Sequence, residues 1–309
     1  MRILVVGASG LLGHHVRAQL LQRGHEVTAV ARTARDGIDR AVDVSSAGAE
    51  RLRDLLAGHD GLVFAGGMDD RVGHKRPVAP ALHAGNVVPA VALLRAAGEV
   101  GCTRAVVLGS YYTYFARTRP DWQLAAKHPY VRSRIEQARL GRAAAGPDLP
   151  VAVLEVPYVF GSAPGRVPMW SVPLFKWARS RSPLYAPPGG SPATSAAAVG
   201  AAAAEALERA SGEDLPVVQE NLTWHDMFGR IAEAVGRPRV VRRAPAGVVR
   251  ALLRLGGAVN RLAGNEPGLA MKHLDGLLLD ELFIEPTSPR SVDEAIAQTA
   301  RGQTWASRA

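Results

Sequence analysis

A short apolar run, Arg2-Ile3-Leu4-Val5-Val6, passes directly into Gly7-Ala8-Ser9-Gly10-Leu11-Leu12-Gly13. A helical pattern with Leu12, Val16, Leu20 and Leu21 on one face follows at once. Few folds accept a buried strand, a glycine turn and a helix in immediate succession. Gly7 suits a tight turn, Gly10 lets a phosphate approach the backbone, and Gly13 allows the helix to pack close to the strand. Ser9, Leu11 and Leu12 complete the loop, whose free N–H groups and positive helix end suit a pyrophosphate. The spacing is G-x-x-G-x-x-G.

The same grammar repeats along the chain. Glu26-Val27-Thr28-Ala29-Val30-Ala31 reads as a second strand, Ala41-Val42-Asp43-Val44 as a short third, and Gly61-Leu62-Val63-Phe64 as a fourth running into Ala65-Gly66-Gly67. Residues 68–80 are polar and read as a loop, and residues 81–100 as a long helix. Arg104-Ala105-Val106-Val107-Leu108 and Val151-Ala152-Val153-Leu154 read as buried strands, with a helix over residues 128–145 between them. Strands alternating with helices predict an α/β fold, a Rossmann-type doubly wound parallel sheet covered on both faces. A small, mostly helical C-terminal substrate lobe is expected beyond it. The division is placed at residues 1–161 and 162–309, with elements over about 193–219 returning to the first part. In the second half, residues 193–209, 223–235, 246–262 and 291–300 read as helices and 215–219 as a strand. Thr223 with Asp226 has the form of a helix N-cap. Residues 162–192, with Trp170, Phe175, Trp177 and Tyr185, read as a lid or wall over a pocket, or as packing at the lobe interface.

The end of the second strand bears on cofactor choice. A carboxylate there would accept hydrogen bonds from an adenosine ribose 2′-hydroxyl; the chain instead has Ala31-Arg32-Thr33-Ala34-Arg35. Guanidinium matches a 2′-phosphate in charge and fork geometry, so NADP(H) is expected over NAD(H), with Arg32 the main contact. Arg35 reads equally as a second contact or a loop residue. Asp43, with Val44 beside it, is placed either to meet the adenine amino group or to be a solvated loop acid. Ala65 and Gly66 offer small residues where a cofactor backbone would approach.

Chemistry is expected beyond the carboxyl ends of the strands. There lies Gly109-Ser110-Tyr111-Tyr112-Thr113-Tyr114, and twenty residues after Ser110 comes Tyr130. Arg134 follows one helical turn later, on the same face. A fixed cation stabilises a phenolate, which lets a phenol exchange a proton with a substrate oxygen near neutral pH. Ser110 is placed to hydrogen-bond the same oxygen.

These motifs resemble the extended short-chain dehydrogenase/reductases, the NAD-dependent epimerase/dehydratase family. The glycine loop looks like that family's cofactor loop, Ser110 matches its catalytic serine, and Tyr130 to Arg134 matches its Tyr-x-x-x-Lys with arginine replacing lysine. That lysine binds the nicotinamide ribose and activates the tyrosine; arginine can do both electrostatically but relays no protons. The resemblance also matches Asn86 to an asparagine on the helix after the fourth strand, part of whose role is to hold that helix's backbone. Pro157, Tyr158 and Val159 match the turn against the nicotinamide, with Glu155 and Phe160 departing from the family's arginine and tyrosine. The implied activity is NADP-dependent hydride transfer between nicotinamide and a carbonyl or alcohol of a small organic substrate. Sugar-nucleotide epimerisation or dehydration, or an NADP-binding sensor or scaffold of weak activity, are the alternatives. A homodimer through helices like 81–100 and 128–145 is a further implication.

Bulk properties narrow the remaining classes. The formal net charge is +9, but arginines are scattered and aromatics make up only 6%, so no nucleic-acid partner is expected. No uninterrupted apolar run reaches a membrane span, and no signal peptide or metal-ligand spacing is evident, so neither a membrane partner nor a metal is expected. Cys102 is the only cysteine, which fits a reducing, cytoplasmic setting.

Overall fold

The computed structural model describes residues 1–70 and 74–303. The chain begins β1 (Arg2–Val6), α1 (Leu11–Gln22), β2 (Glu26–Ala31), β3 (Arg40–Ala41), α2 (Ala49–Leu56) and β4 (Gly61–Phe64). Next come β5 (His74–Lys75), α3 (Val78–Leu82), α4 (Val88–Glu99), β6 (Arg104–Leu108), α5 (Tyr112–Thr118), α6 (Leu124–Lys127), α7 (Pro129–Ala145) and β7 (Val151–Glu155). The second half runs β8 (Tyr158–Phe160), α8 (Ser171–Arg179), β9 (Leu184–Ala186), β10 (Gly190–Ser195), α9 (Ala196–Glu208), β11 (Asp214–Pro216), β12 (Glu220–Thr223) and α10 (Trp224–Ala234). It ends with β13 (Val241–Arg243), α11 (Ala246–Leu262), β14 (Asn265–Glu266), α12 (Asp275–Leu278) and α13 (Asp293–Gly302).

Seven strands form one parallel sheet in the order β11-β7-β6-β4-β1-β2-β3. The order reverses between β1 and β4, so the crevice outside their carboxyl ends is a topological switch point. Both faces of the sheet are covered, and successive residues serve opposite sides. Leu4, Val6, Leu62 and Phe64 pack with Leu52, Leu56, Leu93 and Leu94 of α2 and α4. Ile3, Val5, Val63 and Val106 pack with Val16 and Leu20 of α1 and with Val199, Ala203 and Leu207 of α9. A separate core joins Phe160, Phe175, Trp224, Met227, Ile231 and Ile296 in the second half. Small sheets β12-β10-β8, β13-β9 and β14-β5 accompany its helices.

Several boundaries differ from the sequence reading. The third strand is Arg40–Ala41, because Asp43 caps a turn by accepting from Ser45 N at 3.0 Å. The helix expected over 193–209 begins at Ala196; Ser195 Oγ accepts from Ala198 N at 3.1 Å, and Pro192 and Ala193 belong to β10. The strand expected over 215–219 is Asp214–Pro216, and three further short strands, β12, β13 and β14, follow it. The helix expected from residue 81 starts at Val78 and passes through a π turn, His83–Val87, before α4. Pro89 has no N–H to donate to the carbonyl four residues earlier, which favours that widened turn. Of the loop expected over 68–80, residues 71–73 lie outside the described residues, and β5 interrupts the rest. By length and mean hydropathy, Val78–Glu99 is apolar enough to cross a membrane, against expectation. Here Val87, Ala90, Leu93, Leu94 and Ala97 are buried in the protein core.

Candidate active site

The loop between β1 and α1 takes the shape its glycines predict. Gly7 has φ +87°, and a β-carbon there would sit 2.8 Å from the Ala65 carbonyl carbon. A β-carbon at Gly13 would strike the Gly7 carbonyl. The loop therefore lies against the end of β4, with the N-terminus of α1 facing the crevice. That cradle fits a dinucleotide pyrophosphate.

A cavity of about 400 Å³ opens from this loop across the strand ends. Of the residues predicted to bind cofactor, Gly10, Leu11, Leu12, Ala65, Gly66, Pro157, Tyr158 and Val159 line it, and so do the predicted catalytic residues Ser110, Tyr130 and Arg134. Gly7, Ser9 and Gly13 shape the loop behind it. Arg32, Arg35 and Asp43 are exposed on the loops after β2 and β3, and Val44 is buried in the sheet-face core. These four do not line the cavity.

Tyr130 and Arg134 are held by α7, with Pro129 at its first position. Arg134 Nε donates to the Tyr130 hydroxyl at 3.2 Å. Its Nη1 donates to Gln137 Oε1 at 3.0 Å and reaches the Leu108 carbonyl at 3.5 Å; Nη2 reaches the Met68 carbonyl at 3.4 Å. Both side chains are buried, so this guanidinium ties the ends of β4 and β6 to α7. A lysine has one donor group and could not span these positions together. Gly67, at φ +143°, makes the room: a β-carbon there would lie 2.9 Å from Arg134 Nη1.

The π turn supplies the next layer. Asn86 Oδ1 accepts from Met68 N at 2.6 Å, and Asn86 Nδ2 donates to Ser133 Oγ at 3.1 Å. The widened turn leaves the Asn86 carbonyl available, and Gln137 Nε2 donates to it at 2.8 Å. Asn86 therefore positions both α7 and the strand end that Arg134 grips.

The rest of the wall is aromatic. The Tyr112 and Tyr130 rings meet edge to face at 6.5 Å, and Tyr158 meets Trp170 at 5.0 Å. Burial, followed by the neighbouring Tyr111 and Tyr158, pushes the Tyr112 hydroxyl well above the usual phenol range. Tyr112 stays protonated and is a hydrogen-bond donor rather than a base. Of the four aromatics expected in the lid, only Trp170 lines the cavity, with Arg166, Val167, Pro168 and Met169 beside it. Phe175 is fully buried in the lobe core, Trp177 packs on that core, and Tyr185 is exposed.

Sequence reasoning missed Gly67, Asp69, Asp70, Tyr111 and Tyr112 as cavity residues. The Tyr-Tyr-x-Tyr run after Ser110 was the one available signal. Far along the chain, Gly268 accepts from Tyr130 N at 3.0 Å and donates to the Asp70 carbonyl at 3.2 Å. Nothing in the local sequence announced that contact. Glu155, where the family has arginine, is fully buried and forms a bidentate pair with Arg117 at 2.7 and 3.2 Å. The departure is thus met by a compensating cation from α5.

Comparison with known proteins agrees with this geometry. An NAD(P)H-binding family model matches residues 7–153. No curated protein sequence matches the chain. Among solved structures, it is similar to a nucleoside-diphosphate-sugar epimerase from Pseudomonas aeruginosa (21% identity, 98% of this chain and 97% of that one, TM-score 0.71). It is similar to the UDP-N-acetylglucosamine 4-epimerase from Bacillus cereus (15% identity, 97% and 96% covered, TM-score 0.69). It is also similar to MoeE5 in complex with UDP-glucose and NAD (18% identity, 98% of each chain, TM-score 0.66). Residues 7–153 thus match an NAD(P)H-binding family model, and over nearly its whole length the chain has the Rossmann-type fold of these solved structures.

Proposed function

We propose that the protein is an NADP(H)-dependent oxidoreductase acting on a carbonyl or alcohol of a small organic substrate. The observation that carries this reading is the Tyr130–Arg134 hydrogen bond inside a cavity that also holds Ser110 and begins at the glycine loop. The glycine loop would hold the pyrophosphate, and Pro157, Tyr158 and Val159 would face the nicotinamide. Bound there, the nicotinamide supplies or accepts a hydride. Tyr130 gives a proton to the substrate oxygen, or takes one from it. Arg134 donates to the phenol oxygen and so favours negative charge there as the proton leaves. Ser110 orients the substrate oxygen, and the aromatic wall excludes water.

Exposed Arg32 at the end of β2, where a carboxylate would select NAD, supports NADP. The single cysteine, Cys102, is buried and its thiol is pushed up to about 11 by burial, which fits an unreactive group in a reducing cytoplasm. We take residues 1–161 as the cofactor-binding part and 162–309 as the substrate lobe. The epimerases among the structural neighbours favour a second reading, in which the same hydride step is returned to a sugar nucleotide.

The deciding experiment compares wild type with Tyr130→Phe across a panel of carbonyl substrates, with NADPH binding followed by fluorescence. Tyr130→Phe should lower turnover at least about a hundredfold and leave NADPH binding intact. Equal turnover in that variant overturns the reading. NADPH binding by wild type without turnover on any substrate favours the sensor alternative instead.

A further inference from the structure

The helix α11 presents an unusual surface. None of its 17 residues is buried. Val249, Leu253, Gly256, Gly257 and Asn260 are half-buried against the protein, with the two glycines close to Met271. The other face carries Val248, Leu252, Leu255, Val259 and Leu262, exposed by 52, 62, 62, 56 and 89%. Their spacing of four and three residues makes one continuous stripe along a helix about 26 Å long. Val240, 81% exposed, precedes it.

Charge indicates what covers this stripe. Between Glu233 and Glu266 the chain has seven arginines and no carboxylate. Arg237 and Arg239 are tied to carbonyls of the preceding segment, and Arg250 pairs with Asp275 at 3.3 Å. Arg242, Arg243, Arg254 and Arg261 are exposed. On the helical wheel, Arg250, Arg254 and Arg261 fall beside the packed face, about 120–160° from the centre of the stripe, and so form the polar side of the helix. Four exposed guanidiniums on a segment with no carboxylate of its own complement a negatively charged surface.

We propose that α11 lies in the plane of an anionic bilayer surface, with its Val and Leu stripe in the acyl boundary and its arginines at the phosphates. Exposed apolar side chains on one face, guanidiniums on the polar side and no carboxylate in the helix itself are what such a helix needs, and of these guanidiniums Asp275 meets only Arg250. The absence of an uninterrupted spanning-length run in the sequence bears only on crossing a membrane, so in-plane contact remains open to a chain like this one. A few residues beyond the helix, the Gly268 carbonyl accepts from Tyr130 N.

The test is sedimentation of the full chain with vesicles of phosphatidylcholine alone and of phosphatidylcholine with phosphatidylglycerol. Partition onto the anionic vesicles should be at least about tenfold stronger and should weaken in high salt. The double variant Leu252→Asp with Leu255→Asp should lose about tenfold or more of that partition. The variant Arg254→Glu with Arg261→Glu should lose the preference for phosphatidylglycerol. NADPH binding, unchanged in both, reports that they fold. No partition onto anionic vesicles, or partition untouched by the Leu252 and Leu255 changes, overturns the proposal. So does a wild-type dimer in solution that the Leu252 and Leu255 changes split into monomers, because a second copy would then be the cover.

Discussion

A β-carbon added to Gly67 would lie 2.9 Å from Nη1 and 3.0 Å from Nη2 of Arg134. The arginine and the glycine therefore form a matched pair: the guanidinium occupies space that only a residue without a side chain leaves open. The Gly67 backbone also has φ +143°, which side chains rarely adopt. Gly67→Ala is expected to displace Arg134 from the Tyr130 hydroxyl. Stability should fall by about 1–3 kcal/mol, and kcat by at least about tenfold. Thermal melting and steady-state kinetics check this. Full activity in a destabilised variant would show that Arg134 need not sit where the structure holds it.

Cofactor preference is tested at the other end of the crevice. Arg32 stands exposed after β2, where a 2′-phosphate would lie. Arg32→Asp should raise the dissociation constant for NADPH by about tenfold or more and spare NADH, because it replaces a matching cation with a repelling anion. Fluorescence titration with both nucleotides gives the ratio, and an unchanged ratio assigns the preference elsewhere.

The pH dependence of stability has an identifiable source beneath the site. His128, at the N-cap of α7, is buried; its Nδ1 accepts from Ala270 N at 3.1 Å. Burial, then the neighbouring His273 and Lys127, lowers its pKa from 6.5 to about 4. The folded protein holds this imidazole neutral while the unfolded chain takes up the proton. Stability from this group is therefore complete above pH 6.5 and declines as pH falls toward 4, with a ceiling of about 3 kcal/mol. Urea unfolding at pH 7.5 and pH 5 should differ by about 2 kcal/mol from this residue alone. His128→Asn, less stable at pH 7.5, should show a correspondingly smaller difference. An equal difference in the two proteins would place the dependence on other groups.

What the sequence revealed and what it withheld divide along a physical line. The glycine loop, the strands of the sheet and the Tyr130–Arg134 pair are set by local spacing, so they could be read directly. Thr223 as an N-cap was equally local, and its Oγ1 accepts from Asp226 N at 3.1 Å. The π turn followed from Pro89 competing with a regular helix, and its boundary was missed. The cavity's far wall depends on contacts between residues distant in sequence, such as Gly268 with Tyr130, which no periodicity reports. The helix over residues 246–262 is read from the sequence with its observed ends, but periodicity does not report which way its apolar stripe faces. In the folded chain the Val248-to-Leu262 stripe faces outward, because the glycines at 256 and 257 form the inner contact.

The sheet itself sets a limit on how this protein can be divided. Strand β11 completes its edge, and α9 covers one side of it through Val199, Ala203 and Leu207. Both come from well past residue 153, where the NAD(P)H-binding match ends. A gene fragment trimmed to the recognisable nucleotide-binding motif would thus be translated with β6 and β7, at Val106 and Ala152, lacking their covering helix on that side. Such a product is destined for inclusion bodies, so expression of any shortened version needs to run through residue 216 at least.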